Sequence, residues 1–174
     1  MADLLSLPHH LDPRAHTVRA IVETPAGHRS KFNYHPESGL FELNNVLPAG
    51  MAFPMAFGFV PATLAQDGDP VDIIVLADED LPVGCLVSVQ LLGVIEADQA
   101  ERDGATHRND RLIGRIAASR IYADVRDLDC LGDAMVTELV RFFETYNRLK
   151  GKKFTVKTVC GPDRAVALIE QASR

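Results

Sequence analysis

At 174 residues with 47% hydrophobic side chains, the chain can bury one proper core, and a single domain over residues 1–174 is the expectation. A formal charge of −6 argues against binding to a nucleic-acid backbone, which calls for a basic face. An acidic domain still takes small phosphates when metal ions supply positive charge.

The first residues, MADLLSLPHHLDPRA, carry an early acid and no long apolar run. They read as neither a secretory leader nor a membrane anchor, so a cytoplasmic protein with no membrane partner is expected. His9-His10 lies in a proline-flanked arm, where contact with another subunit or plain exposure is favoured over metal ligation. Thr17 to Thr24 and Lys31 to His35 look extended. Pro36-Glu37-Ser38-Gly39 then gives a turn before Leu40 to Leu43, a pattern that suggests a meander. Asp72 to Leu76 is a short buried-strand candidate, and Val87, Val89 and Leu91 alternate with polar residues until Gly93 interrupts, as a bulge or a bend in a barrel does. Glu96 to Asp110 is polar throughout and reads as a long mobile loop.

Met135, Leu139, Phe142, Phe143 and Tyr146 fall at helical spacing, with acids at Asp129 and Asp133 to start the helix and Gly151 to stop it. Lys153 to Val159 returns to a strand. Pro162-Asp163 opens a last helix with Ala165, Leu168, Ile169 and Ala172 on one face. Cys85, Cys130 and Cys160 are odd in number and lack any CxxC spacing, so they are expected to be buried thiols rather than disulfides or zinc ligands.

The chemistry concentrates in Asp67-Gly68-Asp69-Pro70-Val71-Asp72, three carboxylates within six residues. Asp67 and Asp69 lean the same way in extended backbone, and a turn at Pro70 can bring Asp72 round to join them. Three such anions repel unless a hard divalent cation binds them; the competing reading is a solvated turn, since Asp, Gly and Pro are common turn formers. An EF-hand is excluded, because counting from Asp67 puts Val71 at a ligand position and Asp72 where glycine is needed. A glycosidase pair is disfavoured by the closeness of the acids.

The same six residues resemble the signature of the soluble family I inorganic pyrophosphatases. Other segments match in order: Ile21-Val22-Glu23-Thr24-Pro25, Ser30-Lys31-Phe32, Glu37-Ser38-Gly39, Phe53-Pro54, Phe57-Gly58-Phe59 and Phe142-Phe143-Glu144-Thr145-Tyr146. The resemblance implies an α+β fold, a five-stranded OB-like β-barrel with peripheral helices. It further implies Mg²⁺ dependence and a homo-oligomer, hexameric in bacterial members. By that resemblance Asp67 and Asp72 hold metal, Asp69 takes a proton from the attacking water, Glu23 acts through metal-bound water, and Lys31 and Tyr146 contact phosphate.

Departures accompany the matches. Asn33, Asn45 and Asn147 stand where the pattern has an acid, an arginine and a lysine, and Phe53 and Phe57 replace tyrosines. The alignment puts Asn109 on a metal-binding acid and Arg111 on a phosphate-binding lysine. Asp110 is the candidate to recover the metal contact, Asp98 or Asp103 to replace an earlier acid, and Arg148 or Lys153 to restore positive charge. The expectation is Mg²⁺-dependent hydrolysis of pyrophosphate with an altered phosphate pocket. Two rivals stand beside it: a silent binding or hetero-oligomer subunit, and a hydrolase of another small phosphorylated metabolite whose apolar part rests on Phe53 and Phe57.

Overall fold

The computed structural model describes residues 3–174. The strands in chain order are β1 (Thr17–Thr24), β2 (Ser30–His35), β3 (Leu40–Val46), β4 (Ala56–Val60), β5 (Val71–Leu76), β6 (Leu86–Ala100), β7 (Thr106–Arg108), β8 (Arg111–Ile116) and β9 (Lys153–Cys160). The helices are a single turn, α1 (Leu128–Leu131), then α2 (Asp133–Leu149) and α3 (Pro162–Ala172).

Pairing runs β1–β4–β5–β8–β6, and β6 also pairs with β1, so five strands close a ring. This is the expected OB-like barrel, with the helices outside it. β5 and β8 pair in parallel, Asp72 opposite Arg111, and the other ring pairings are antiparallel. The meander expected near the start is only partly present. β2 and β3 form a separate hairpin, while β1 pairs with β4 and β6 because its largely buried run belongs in the barrel.

Alternation along the strands divides the interior into two main clusters. Val71, Ile73 and Val75 of β5 pack with Ala165, Val166 and Ile169 of α3. Ile74 and Leu76 pack with Leu139, Phe143 and Tyr146 of α2. Asp72 shares the second face by parity.

β6 changes phase in the middle. Its register with β8 shifts between Leu91 and Gly93, and Leu91 and Val94 then both face the α3 cluster while Ile95 and Ala97 face the α2 cluster. Glycine is required there: a Cβ on Gly93 would lie 2.3 Å from the Cys160 carbonyl oxygen and 2.6 Å from Leu128. The result is that Gln99, two residues beyond Ala97, lies on the α2 side.

The loop expected over 96–110 is instead the end of β6, a tight turn and β7. Its polar residues hide the strand because they are buried in pairs. Glu96 is held by Arg108 and by Arg164, whose Nε lies 2.6 Å from Oε1, and Gln99 accepts from Asn109 Nδ2 at 3.1 Å. The cysteines also differ from expectation: Cys130 is exposed and Cys85 and Cys160 are half-buried, all three free. His9 is not a loose arm residue, since its Nε2 lies 3.0 Å from Ser173 Oγ at the end of α3.

Candidate active site

The acidic loop is a closed turn. Gly68 adopts φ 91°, a region that strains residues bearing a side chain. Its N–H donates to Ala65 O at 3.1 Å, and Ala65 N–H donates to Asp69 O at 2.7 Å. Asp69 N–H donates to Asp67 Oδ1 at 3.2 Å. Buried Thr63 fixes the exit, donating to Val60 O at 2.6 Å and accepting from Val71 N–H at 2.9 Å. Asp67 and Asp69 are thereby set at the mouth of a cleft of about 570 Å³, and β5 carries Asp72 into it.

One wall of this cleft is acidic: Glu23 from β1, Asp67, Asp69 and Asp72. Glu23 is buried and accepts from Tyr34 N–H at 2.8 Å, yet burial pushes its pKa up to about 7. Desolvation raises Asp69 as well, with Asp67 adding to the shift. It raises Asp72 too, against the pull of the Arg111 guanidinium, with which Asp72 forms an ion pair.

The other wall is basic and aromatic. Lys31 lies 5.5 Å from the Phe57 ring centroid, and Arg111 is sandwiched near Phe57, Phe143 and Phe154 at 5.8, 5.4 and 5.7 Å. Arg111 also donates to the Asn109 side chain, while its Nε is buried without a partner. The Tyr146 hydroxyl is likewise buried and unpartnered, and burial raises its pKa to about 12. An orphaned buried phenol lining a cleft is a group awaiting a ligand oxygen.

Seven of the sequence candidates therefore meet in one cleft: Glu23, Lys31, Asp67, Asp69, Asp72, Arg111 and Tyr146. Two do not. Asp110 points to the opposite side of the sheet from Asn109 and Arg111, as strand alternation requires, and is occupied by Arg108 Nε at 2.8 Å and Ala97 N–H at 2.9 Å. Arg148 is exposed and lines no part of the cleft, because the buried face of α2 at that level is taken by Tyr146 and Asn147. Lys153 is exposed on β9 and outside the cleft as well.

Asp98 and Asp103 are also elsewhere: Asp98 pairs with Lys157 Nζ at 2.9 Å, and Asp103 caps a turn by accepting from Ala105 N–H at 3.0 Å. Phe53 and Phe57 are 1% and 3% exposed, so neither ring offers a platform for an apolar substrate group.

Sequence reading missed Gln99, Glu101, Lys150 and Lys152, all of which line the cleft. Gln99 and Glu101 were hidden because the polar run 96–110 reads as a loop. The lysines follow α2 directly, and their signal was the basic run Lys150-Gly151-Lys152 after Tyr146.

A closed five-stranded barrel with an acid wall facing a basic wall defines a site for a polyanion held together with cations. Known proteins resemble the chain over nearly its whole length. The family model described as inorganic pyrophosphatase matches residues 20–174. The inorganic pyrophosphatase of Thermus thermophilus is 34% identical over 171 residues, 98% of this chain and 94% of that one. That of Geobacillus stearothermophilus is 33% identical over 155 residues, 88% of this chain and 90% of its own. The crystal structure of the Thermus thermophilus enzyme superposes with a TM-score of 0.88 at 31% identity, covering 98% of this chain and 97% of that chain. The Helicobacter pylori inorganic pyrophosphatase superposes at 0.84 with 29% identity, covering 95% of each. The chain belongs to the inorganic pyrophosphatase family.

Proposed function

We propose that the protein hydrolyses inorganic pyrophosphate to phosphate, using Mg²⁺ and a water activated in this cleft. The observation that carries the reading is the facing of the two walls: four carboxylates on one side, and on the other guanidinium, ammonium and an orphaned phenol. Family membership supports metal-dependent hydrolysis of the phosphoanhydride bond.

The acid wall fits a hard divalent cation. Glu23, Asp67, Asp69 and Asp72 are oxygen donors, and among the described residues Asp72 with Arg111 is the one ion pair these four form. Among the described residues no three His, Cys, Asp or Glu groups already stand close enough to enclose an ion. Mg²⁺ keeps several of its waters when bound, so carboxylates that do not close directly on one ion can hold it through them. In this reading Asp67, Asp72 and Glu23 hold the metal. Bound there, Mg²⁺ lowers the pKa of water and neutralises phosphate charge.

The chain's own residues do the rest. Asp69, at the mouth and not committed to an ion pair, accepts the proton of the attacking water. Lys31 and Arg111 hold the phosphate oxygens, and the Tyr146 hydroxyl donates to one of them. Packing of Arg111 among three aromatic rings keeps its fork aimed into the cleft.

The test is phosphate release from pyrophosphate with and without Mg²⁺, in wild type and Asp69→Asn. Turnover that requires Mg²⁺ and falls about 10²–10⁴-fold in the variant is expected. A folded, Mg²⁺-saturated protein that releases no phosphate overturns the reading. That outcome, with cation binding intact, selects the silent subunit instead, which the neutral Gln99–Asn109 amide pair favours.

The homo-oligomer also belongs to this proposal, and Leu40, Leu43 and Val46, exposed on the β3 hairpin strand, are consistent with it. Light scattering checks the hexamer. No helix among the described residues is long and apolar enough to cross a membrane, which is compatible with the cytoplasmic placement proposed here.

A further inference from the structure

The cleft contains more positive charge than the family pattern explains. Asn147, standing where that pattern has a lysine, is buried in the cleft wall and its amide donates to Phe143 O at 2.8 Å. It brings no cation. Three residues on, α2 ends in a tight turn: Lys150 and Lys152 N–H both donate to Asn147 O, at 3.0 and 2.9 Å, and Gly151 N–H donates to Arg148 O at 3.0 Å. This folds the chain back so that Lys150 and Lys152 both face inward.

Lys152 is neutralised, its Nζ 2.8 Å from Glu101. Lys150 is not. Its Nζ sits 4.6 Å from the centroid of the Tyr146 ring, and among the described residues no carboxylate comes within ion-pair range of it. Lys31, Lys152 and Arg111 are its charged neighbours, and Glu101 is engaged by Lys152 and by Gln99 at 2.6 Å. Half-burial and these like charges draw the Lys150 pKa down to about 8. A desolvated ammonium among other cations, beside a phenol with no partner, is an arrangement that an added anion relieves while the lysine stays charged.

We propose that Lys150 is a phosphate-binding residue, supplying from beyond the end of α2 the ammonium that Asn147 lacks, with the Tyr146 hydroxyl directed at the same anion. The aromatic ring under Lys150 fixes the direction of its flexible stem. The proposal rests on the reading of this cleft as a pyrophosphate site. Its specific content is that the basic wall was rebuilt at a different chain position, so that the phosphate leaves the Asn147 corner and shifts toward the end of the helix.

The test compares wild type, Lys150→Met, Lys150→Met/Asn147→Lys, and Arg141→Met as an exposed control on the same helix. Two readouts are taken: binding of inorganic phosphate by calorimetry, and KM against kcat for pyrophosphate with Mg²⁺. Lys150→Met should weaken phosphate binding and raise KM by about ten- to a hundredfold, the size of a lost charge-assisted contact. Without phosphate it should melt no lower than wild type, because a like-charge repulsion has been removed, and phosphate should raise its melting temperature less. The second substitution should recover part of the affinity.

Unchanged phosphate affinity in folded Lys150→Met overturns the proposal. If wild type turns over pyrophosphate and KM does not move in that variant, the Lys150 role fails and the proposed reaction stands. If wild type binds phosphate in a Lys150-dependent way but releases none from pyrophosphate, the reaction fails and the Lys150 role stands.

Discussion

Asp72 and Arg111 sit opposite each other across the parallel pairing of β5 with β8, and their side chains close an ion pair within the cleft. The carboxylate proposed to hold metal is thus already neutralised by a residue proposed to hold phosphate. Each ligand must share Asp72 and Arg111 with the other, so the two walls are coupled before anything binds.

Removing the guanidinium exposes that coupling. Arg111→Ala leaves Asp72 unpaired and should destabilise the protein by about 1–3 kcal/mol in chelator, less than for a fully buried pair because Asp72 is partly exposed. Millimolar Mg²⁺ should restore more stability to the variant than it adds to wild type, since the cation takes over the neutralising role. Thermal melts with and without Mg²⁺ decide this, and an equal Mg²⁺ response in both proteins counts against it.

Glu23 predicts a pH slope. Its pKa is about 7 in the folded protein and near 4.5 in the unfolded chain, so the folded state binds more protons between those values. Stability in chelator should therefore fall as pH rises from about 4.5 to 7, by on the order of 3 kcal/mol from this group. Asp69 and Asp72, also raised, add slope of the same sign. Glu23→Gln keeps an acceptor for Tyr34 N–H and should flatten the Glu23 share. Urea unfolding at pH 5 and pH 8 measures it, and a wild type equally stable at both would contradict the burial argument.

Phe53 belongs to the core and not to a substrate platform. It packs against Phe57, Phe142 and Tyr146 at centroid distances of 5.8, 5.1 and 5.7 Å. Phe53→Ala should cost about 3–5 kcal/mol of stability. Steady-state assays below the lowered melting temperature should show no gain or loss of discrimination among phosphorylated substrates bearing apolar groups.

The segment 96–100 should behave as a strand. Its backbone amides should be protected from hydrogen exchange, unlike those of the turn at 102–105, because β6 pairs there with both β7 and β9. Glu96→Ala leaves Arg164 without its partner and Arg108 with Asp110 alone, and should destabilise by about 1–3 kcal/mol, less than for a fully buried pair because both guanidinium side chains are partly exposed. Exchange as fast at 96–100 as at the turn would restore the mobile-loop reading.

Three of the five barrel strands, β1, β5 and β6, were legible because turns bound them and β-branched residues fill them, as in Val71–Leu76, whereas β4 and β8, each interrupted by a glycine, were not read as strands. The acid wall was legible too, since Asp67, Asp69 and Asp72 are fixed within one short loop. What stayed hidden depends on tertiary pairing. Glu96 and Gln99 read as loop because their burial is satisfied by Arg164 and Asn109, which lie far along the chain or beyond a turn. Asp110 was placed one residue out, and in a strand one residue means the opposite face. Lys150 escaped notice because its position follows from where α2 stops, and helix ends are set by local hydrogen bonds more than by hydrophobic period.

The bulge at Gly93 acts on everything downstream of it in β6. Were a single residue deleted there with the pairing otherwise kept, the strand would rotate by half its repeat. Glu96 and Asp98 would then be offered to the pocket, and Gln99 and Glu101 would be sent to the far side. The amide of Gln99 in this pocket is therefore separated from a carboxylate of Asp98 by the smallest change in length a gene can make in frame.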